Sequence, residues 1–118
     1  MEINEAIMAF SQSEKIKAGL IWISQVLVLI EGLPDVERKG GEKIIDAILN
    51  MIGHETKLAE AVVGNDGWNE IEAYIDKALV MINSGVGQEA NVHLSIGLSK
   101  TTNIAQQSMS LLKEEGLL

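Results

Sequence analysis

The segment from Ile16 to Leu33 reads IKAGLIWISQVLVLIEGL and decides the fold. Apolar residues recur along it at steps of three and four, which is the spacing of one face of an α-helix. This first row consists of Ile16, Leu20, Ile23, Leu27 and Ile30. A second apolar row beside it consists of Trp22, Val26, Leu29 and Leu33. A helix this apolar must be covered on most sides, either by its own domain or by a partner chain.

Glycine and proline divide the rest of the chain into further helical segments, because both residues are common where helices end. The pattern predicts helices over about residues 13–31, 42–63, 68–83 and 88–115. A short extra helix over residues 3–10, or one continuous helix from Ile3, also fits the N-terminal sequence. We expect Gly40 and Gly41 to precede the second helix and Asn65 or Asp66 to cap the third. Gly97 leaves the fourth helix either continuous or split.

The second predicted helix also carries two apolar rows. One row consists of Ile44, Ile48, Met51, Leu58 and Val62. The adjacent row consists of Ile45, Leu49, Ile52, Ala59 and Val63. Four amphipathic helices with short connections pack most simply as an antiparallel up-down four-helix bundle. We therefore expect an all-α fold in which residues 1–118 form a single helical domain.

The charge balance excludes several kinds of partner. The 118 residues carry a formal net charge of −8, and Arg38 is the only arginine. Phosphate backbones are bound by Lys and Arg, so we expect no nucleic acid partner. The apolar segment contains a run of only 13 consecutive uncharged residues, from Ala18 to Ile30. A helix that crosses a membrane needs about 20 apolar residues, so we expect no membrane span.

The absence of cysteine excludes disulfides, thiolate metal sites and cysteine nucleophiles. The N-terminal residues are acidic, whereas a secretion signal begins with basic residues. Both observations lead us to expect a cytoplasmic location.

Two histidines offer the only motif-like patterns for a metal. The segment from His54 to Leu58 begins like the zinc motif HExxH, but Leu58 stands where the second histidine is needed. Glu89 and His93 are four residues apart and share a helix face, without the repeated Glu-x-x-His of di-iron bundles. Surface histidines are the simpler interpretation. A metal-binding or enzymatic bundle that uses His54 and His93 stays an alternative.

Residues 85–90, GVGQEA, match the dinucleotide fingerprint G-x-G-x-x-A by letter. That fingerprint must follow a strand, whereas this segment follows a predicted helix, so we expect a turn between helices. We expect no catalytic residue, no cofactor-binding residue, no cofactor and no metal ligand, and hence no enzyme.

The surplus of apolar surface favours association, because exposed apolar patches usually mark interfaces and aromatic residues often anchor them. The second row, Trp22, Val26, Leu29 and Leu33, is the predicted interface. We expect an acidic interaction module that self-associates as a homodimer. A position in the core is the alternative for both Trp22 and Trp68. The alternative function is a small export or assembly chaperone that holds an amphipathic helix of a client protein.

Overall fold

The computed structural model describes residues 1–64 and 67–118 and contains four long helices. They are α1 (Ile3–Glu31), α2 (Asp35–Val62), α3 (Gly67–Asn83) and α4 (Ala90–Glu114), with a 3₁₀ turn over Gly87–Glu89 before α4. Each helix packs against its neighbours in the chain, and α1 packs against α4 to close the ring. The molecule measures 52 × 22 × 18 Å. The expected all-α four-helix bundle is confirmed.

Helix α1 runs without interruption over 29 residues, which confirms the alternative of one continuous helix from Ile3. The other prediction, a start near residue 13, was wrong because the buried face continues towards the N-terminus through small residues. Ala6, Ala9 and Ser13 lie on that face and are buried. Ser13 does not cap the helix, since its hydroxyl donates to the Phe10 carbonyl oxygen at 3.1 Å.

Helix α2 begins at Asp35 rather than near residue 42. Proline is tolerated at a helix start because its missing N–H would have no partner there, and Pro34 directly precedes this helix. Asp35 and Glu37 occupy the first turn, where acidic residues complement the helix dipole. The expectation that Gly40 and Gly41 precede the helix was therefore wrong.

Gly41 lies where α2 packs closely on α1. A Cβ atom at this position would lie 2.9 Å from the Ile30 Cγ2 atom, which is closer than side-chain atoms normally approach. A Cβ atom at Gly40 would meet no atom within 4 Å. Gly41 thus allows two helices to come together, and it does not end one.

Helix α4 is continuous through Gly97, which is buried against α3. A Cβ atom there would lie 3.5 Å from the Tyr74 Cβ atom. The GVGQEA segment forms the turn between α3 and α4, and Gly85 has the positive φ of 83° that such turns reserve for glycine. The expected caps of α3, Asn65 and Asp66, lie outside the described residues.

The core is aliphatic apart from Trp68, which is fully buried. The largest buried side chains around it are Ile16, Leu20, Leu27, Ile45, Leu49, Ile71, Ile75 and Leu94. Buried hydroxyls on α4 bond to their own helix: Thr101 donates to the Gly97 carbonyl oxygen at 2.8 Å, and Ser108 to that of Ile104 at 2.9 Å. These bonds satisfy the Thr101 and Ser108 hydroxyls inside the bundle.

None of the helices that the structure describes is both long enough and apolar enough to cross a membrane.

Candidate functional site

The two apolar rows of α1 have different surroundings. The first row faces the bundle interior, and each of its residues is buried. In the second row the exposed fraction is 67 % for Trp22, 43 % for Val26, 70 % for Leu29 and 37 % for Leu33. The bundle therefore covers one row and leaves the other on the surface. The interface role of these four residues stays a prediction, and their exposure makes them available for it.

Helix α2 extends this apolar surface across a groove. Its residues Ile44, Ile48 and Met51 are exposed and line the groove opposite Trp22 and Val26. We call these five residues the α1–α2 face. The groove has a volume of about 590 Å³, and its lining includes the buried side chains of Ile16, Ile23 and Ile45. Leu29 on α1 and Leu33 in the connection between α1 and α2 are also exposed, but they do not line the groove.

Close packing of α1 on α2 holds the groove in place. A Cβ atom at Gly19 would lie 3.0 Å from the Ile52 Cδ1 atom. This contact lies about one helical turn from Lys15 and Glu55, and the Gly41–Ile30 contact lies at the opposite end of the groove. The groove is therefore bounded by two helices in fixed register.

A polar bridge crosses the groove at its other end. The Lys15 Nζ and Glu55 Oε1 atoms are 2.9 Å apart. Gln12 Nε2 donates to the Glu55 carboxylate and to the Glu55 backbone carbonyl oxygen, each at 3.1 Å. The hydrogen bond from Lys15, with that from Gln12, lowers the pKa of the Glu55 carboxyl below its ordinary value of 4.5. We call this pair the Lys15–Glu55 bridge.

Beyond the bridge the apolar surface resumes in a smaller groove of about 330 Å³. Its exposed apolar residues are Ile7, Met8, Leu58 and Val62. The bridge therefore interrupts a surface that is otherwise apolar along most of α1 and α2.

This surface is electrically neutral although the chain carries a net charge of −8. Among the residues that line the two grooves, only Lys15 and Glu55 are charged, and they are paired with each other. The other acidic residues that the structure describes do not line either groove. A strongly basic partner would find no complementary charge here, whereas a neutral apolar surface would fit.

Two pairs of carboxyl groups lie between helices away from the groove. Burial and a hydrogen bond with Glu42 raise the pKa of Glu31 to about 7, although Arg38 and the backbone of Gln88 oppose the shift. Burial and a hydrogen bond with Glu60 likewise raise the pKa of Glu72. A second carboxyl group beside the first favours the protonated form of the buried one, because two neighbouring carboxylates repel each other.

The structure does not bring the two histidines together. His54 is exposed on α2, whereas His93 on α4 stacks on Tyr74 with ring centroids 6.3 Å apart. Helices α2 and α4 lie opposite each other in the ring. Within residues 1–64 and 67–118, no group of three or more His, Asp or Glu side chains is placed to hold a metal ion.

No protein-family model matches the chain, and comparisons with curated proteins and with solved structures find no significant match.

The predicted interface omitted the part of the face that α2 contributes. Ile44, Ile48 and Met51 lie on one of the two apolar rows of α2, which were visible in the sequence. A helix with two apolar rows, like α1, carries more apolar surface than one bundle can cover. The two apolar rows of α2 were therefore the signal in the sequence that could have added Ile44, Ile48 and Met51 to the predicted interface.

Proposed function

We propose that this chain is a non-catalytic interaction module that self-associates as a homodimer through the α1–α2 face. The observation that carries the proposal is the exposure of large apolar side chains on both sides of one neutral groove. Fully burying one such side chain contributes roughly 1.5–3 kcal/mol. Covering the face on two copies together would therefore remove a substantial unfavourable contact with water.

Neutrality favours a second copy as the occupant of the face. Two chains that each carry a charge of −8 repel each other, so their contact must lie where the acidic residues are absent. The α1–α2 face meets this condition, since the charged residues that line its groove are Lys15 and Glu55, which form the Lys15–Glu55 bridge. A symmetric dimer brings the same patch of each copy together, and a neutral patch is compatible with itself.

The expectation that the module is non-catalytic has support from the same groove. Its lining is aliphatic except for Trp22 and the bridge, and the two ionisable groups in it bond to each other. We also propose a cytoplasmic location, because a chain without cysteine gains no stabilisation from an oxidising compartment.

A client helix is the second candidate for the groove. A groove between two helices can receive the apolar side of a third, as in many helix-in-groove complexes. In that case the protein alone would stay monomeric and would act as a chaperone for an export or assembly partner.

Two matched variants test the homodimer. Val26 lines the groove, whereas Val28 on the same helix is 66 % exposed and does not. Two residues along a helix turn by about 200°, so these side chains point in nearly opposite directions. We expect Val26→Asp to abolish dimerisation because it places an unpaired charge in the interface. Val28→Asp should leave the dimer intact.

Light scattering across about 1–100 µM, the range of weak homodimers, measures the outcome. The wild-type mass should approach twice the chain mass of 12.8 kDa as the concentration rises. A wild-type protein that stays at 12.8 kDa throughout contradicts the homodimer. Equal effects of the two aspartate variants would place the interface elsewhere.

A further inference from the structure

The positions of the Lys15–Glu55 bridge and of the helices around it determine how two copies can meet, and this inference rests on the proposed homodimer. We propose that the second copy docks about a two-fold axis parallel to the helices. Helix α1 of each protomer then lies antiparallel on α2 of the other. The bridges of the two protomers face each other, and Lys15 of each protomer contacts the partner's Glu55.

The geometry of one protomer leads to this arrangement. Helices α1 and α2 run antiparallel, and three contacts show their register: Ile30 against Gly41, Gly19 against Ile52, and Lys15 against Glu55. The register stays constant along the groove. A two-fold axis parallel to the helices does not change the position of any residue along the helix axis, which we call its height. The axis places α1 of one protomer opposite α2 of the other.

The charges of the bridge are complementary under this symmetry. Lys15 is on the α1 side and Glu55 is on the α2 side at the same height. The axis therefore places the positive group of each protomer over the negative group of the other. Four charges of alternating sign result, and such complementarity fixes register and excludes wrong pairings.

The apolar residues are also matched. Val26 on α1 lies at about the height of Ile44 on α2, as the register of the two helices requires. Across the axis, Val26 of each protomer would face the partner's Ile44. Two grooves of about 590 Å³ would then close on each other into one core formed by four helices.

The other two-fold axis in the plane of the face runs across the helices and fits less well. This axis would reverse the direction of one protomer along the helix axis relative to the other. The Lys15–Glu55 bridge of each protomer would then lie over the apolar end of the partner's groove, near Ile30. Burying a charged pair against aliphatic side chains removes its hydration without a new partner, which is unfavourable. The axis parallel to the helices avoids this penalty.

A charge-swapped variant, Lys15→Glu combined with Glu55→Lys, tests the arrangement. The swap preserves the bridge within each chain and preserves charge complementarity between two swapped chains, so it should dimerise as the wild type does. In a mixed dimer, however, each lysine would face a lysine and each glutamate a glutamate. We expect the heterodimer to fall about threefold or more below the one half expected for random mixing.

Native mass spectrometry of an equimolar mixture measures the heterodimer. The swap does not change the composition, so one protein must carry ¹⁵N to give it a distinct mass. Depleted heterodimer supports the axis parallel to the helices. Random mixing of the two proteins overturns that axis and leaves the homodimer standing. A wild-type protein without any dimer overturns the homodimer itself.

Disulfide trapping provides an independent measurement, because the chain contains no cysteine. A Val26→Cys chain mixed with an Ile44→Cys chain should form a disulfide between chains under mild oxidation. Val26→Cys alone should not, since the two copies of residue 26 lie on opposite sides of the axis. Efficient trapping of Val26→Cys with itself would overturn the proposed axis even if the charge-swapped variant failed to fold.

Discussion

The pair Gly40 and Gly41 allows a direct test of the contact between α1 and α2. Both residues lie inside α2, where glycine is less favourable than alanine by about 1 kcal/mol. Only Gly41 faces α1. Replacing each residue by alanine therefore adds the same methyl group to the same helix, once against a neighbour and once into open space.

The expected effects have opposite signs. Gly40→Ala should stabilise the protein by about 0.5–1 kcal/mol, because no atom lies within 4 Å of the new methyl group. At Gly41 the methyl group would meet three Ile30 side-chain atoms at 2.9 to 3.1 Å. Overpacking of this kind costs about 1–3 kcal/mol. After the gain in helix propensity, we expect Gly41→Ala to destabilise the protein by about 1 kcal/mol.

Urea unfolding followed by circular dichroism measures both effects as shifts in the midpoint at constant slope. The experiment should be done at a protein concentration at which the wild type is monomeric, so that association does not contribute. If both variants were stabilised equally, α1 and α2 would not approach each other at Gly41. If neither changed stability, residues 35–41 would not be helical.

Two further predictions concern the core and the pH dependence. Leu27 is fully buried, so Leu27→Ala should lower the free energy of unfolding by about 2–5 kcal/mol. Leu27→Asp should prevent folding because it buries an unpaired charge. Thermal melts measure both effects. The pKa of Glu31 is about 7 in the folded protein and 4.5 ordinarily, so the folded state binds more protons between these values and stability should fall as pH rises from about 4.5 to 7. Glu31→Gln should remove most of this fall and should stabilise the protein at pH 8 relative to wild type, because the glutamine needs no proton. An unchanged pH profile in urea melts would contradict the raised pKa of Glu31.

The helices were predictable from the sequence because apolar periodicity is a direct consequence of helix geometry. Leu20, Ile23 and Leu27 recur at the helical spacing, and all three are buried. The ends of α1 and α2 were harder to predict. Glycine is common both beyond helix ends and where helices touch, and only the position of Ile30 shows which applies to Gly41.

The candidate site was predictable in part. The second apolar row of α1 indicated surface beyond what a small bundle can cover, and Trp22 is indeed exposed whereas Trp68 is in the core. Periodicity alone cannot decide between them, because it shows that a face is apolar and not what covers it. The Lys15–Glu55 bridge joins residues 40 positions apart, and no local pattern reveals such a pairing.

The short connection between α1 and α2 has a consequence for assembly. Residues 32–34 alone separate the two helices, so the first half of the chain forms a helical hairpin whose contacts near the turn, such as Ile30 with Gly41, are local. Loops this short cost little entropy to close, and local contacts form quickly. Every residue of the α1–α2 face belongs to this hairpin, and α3 and α4 pack on its other side. The surface that would recruit a second chain is thus encoded entirely in helices that are synthesised before α3 and α4.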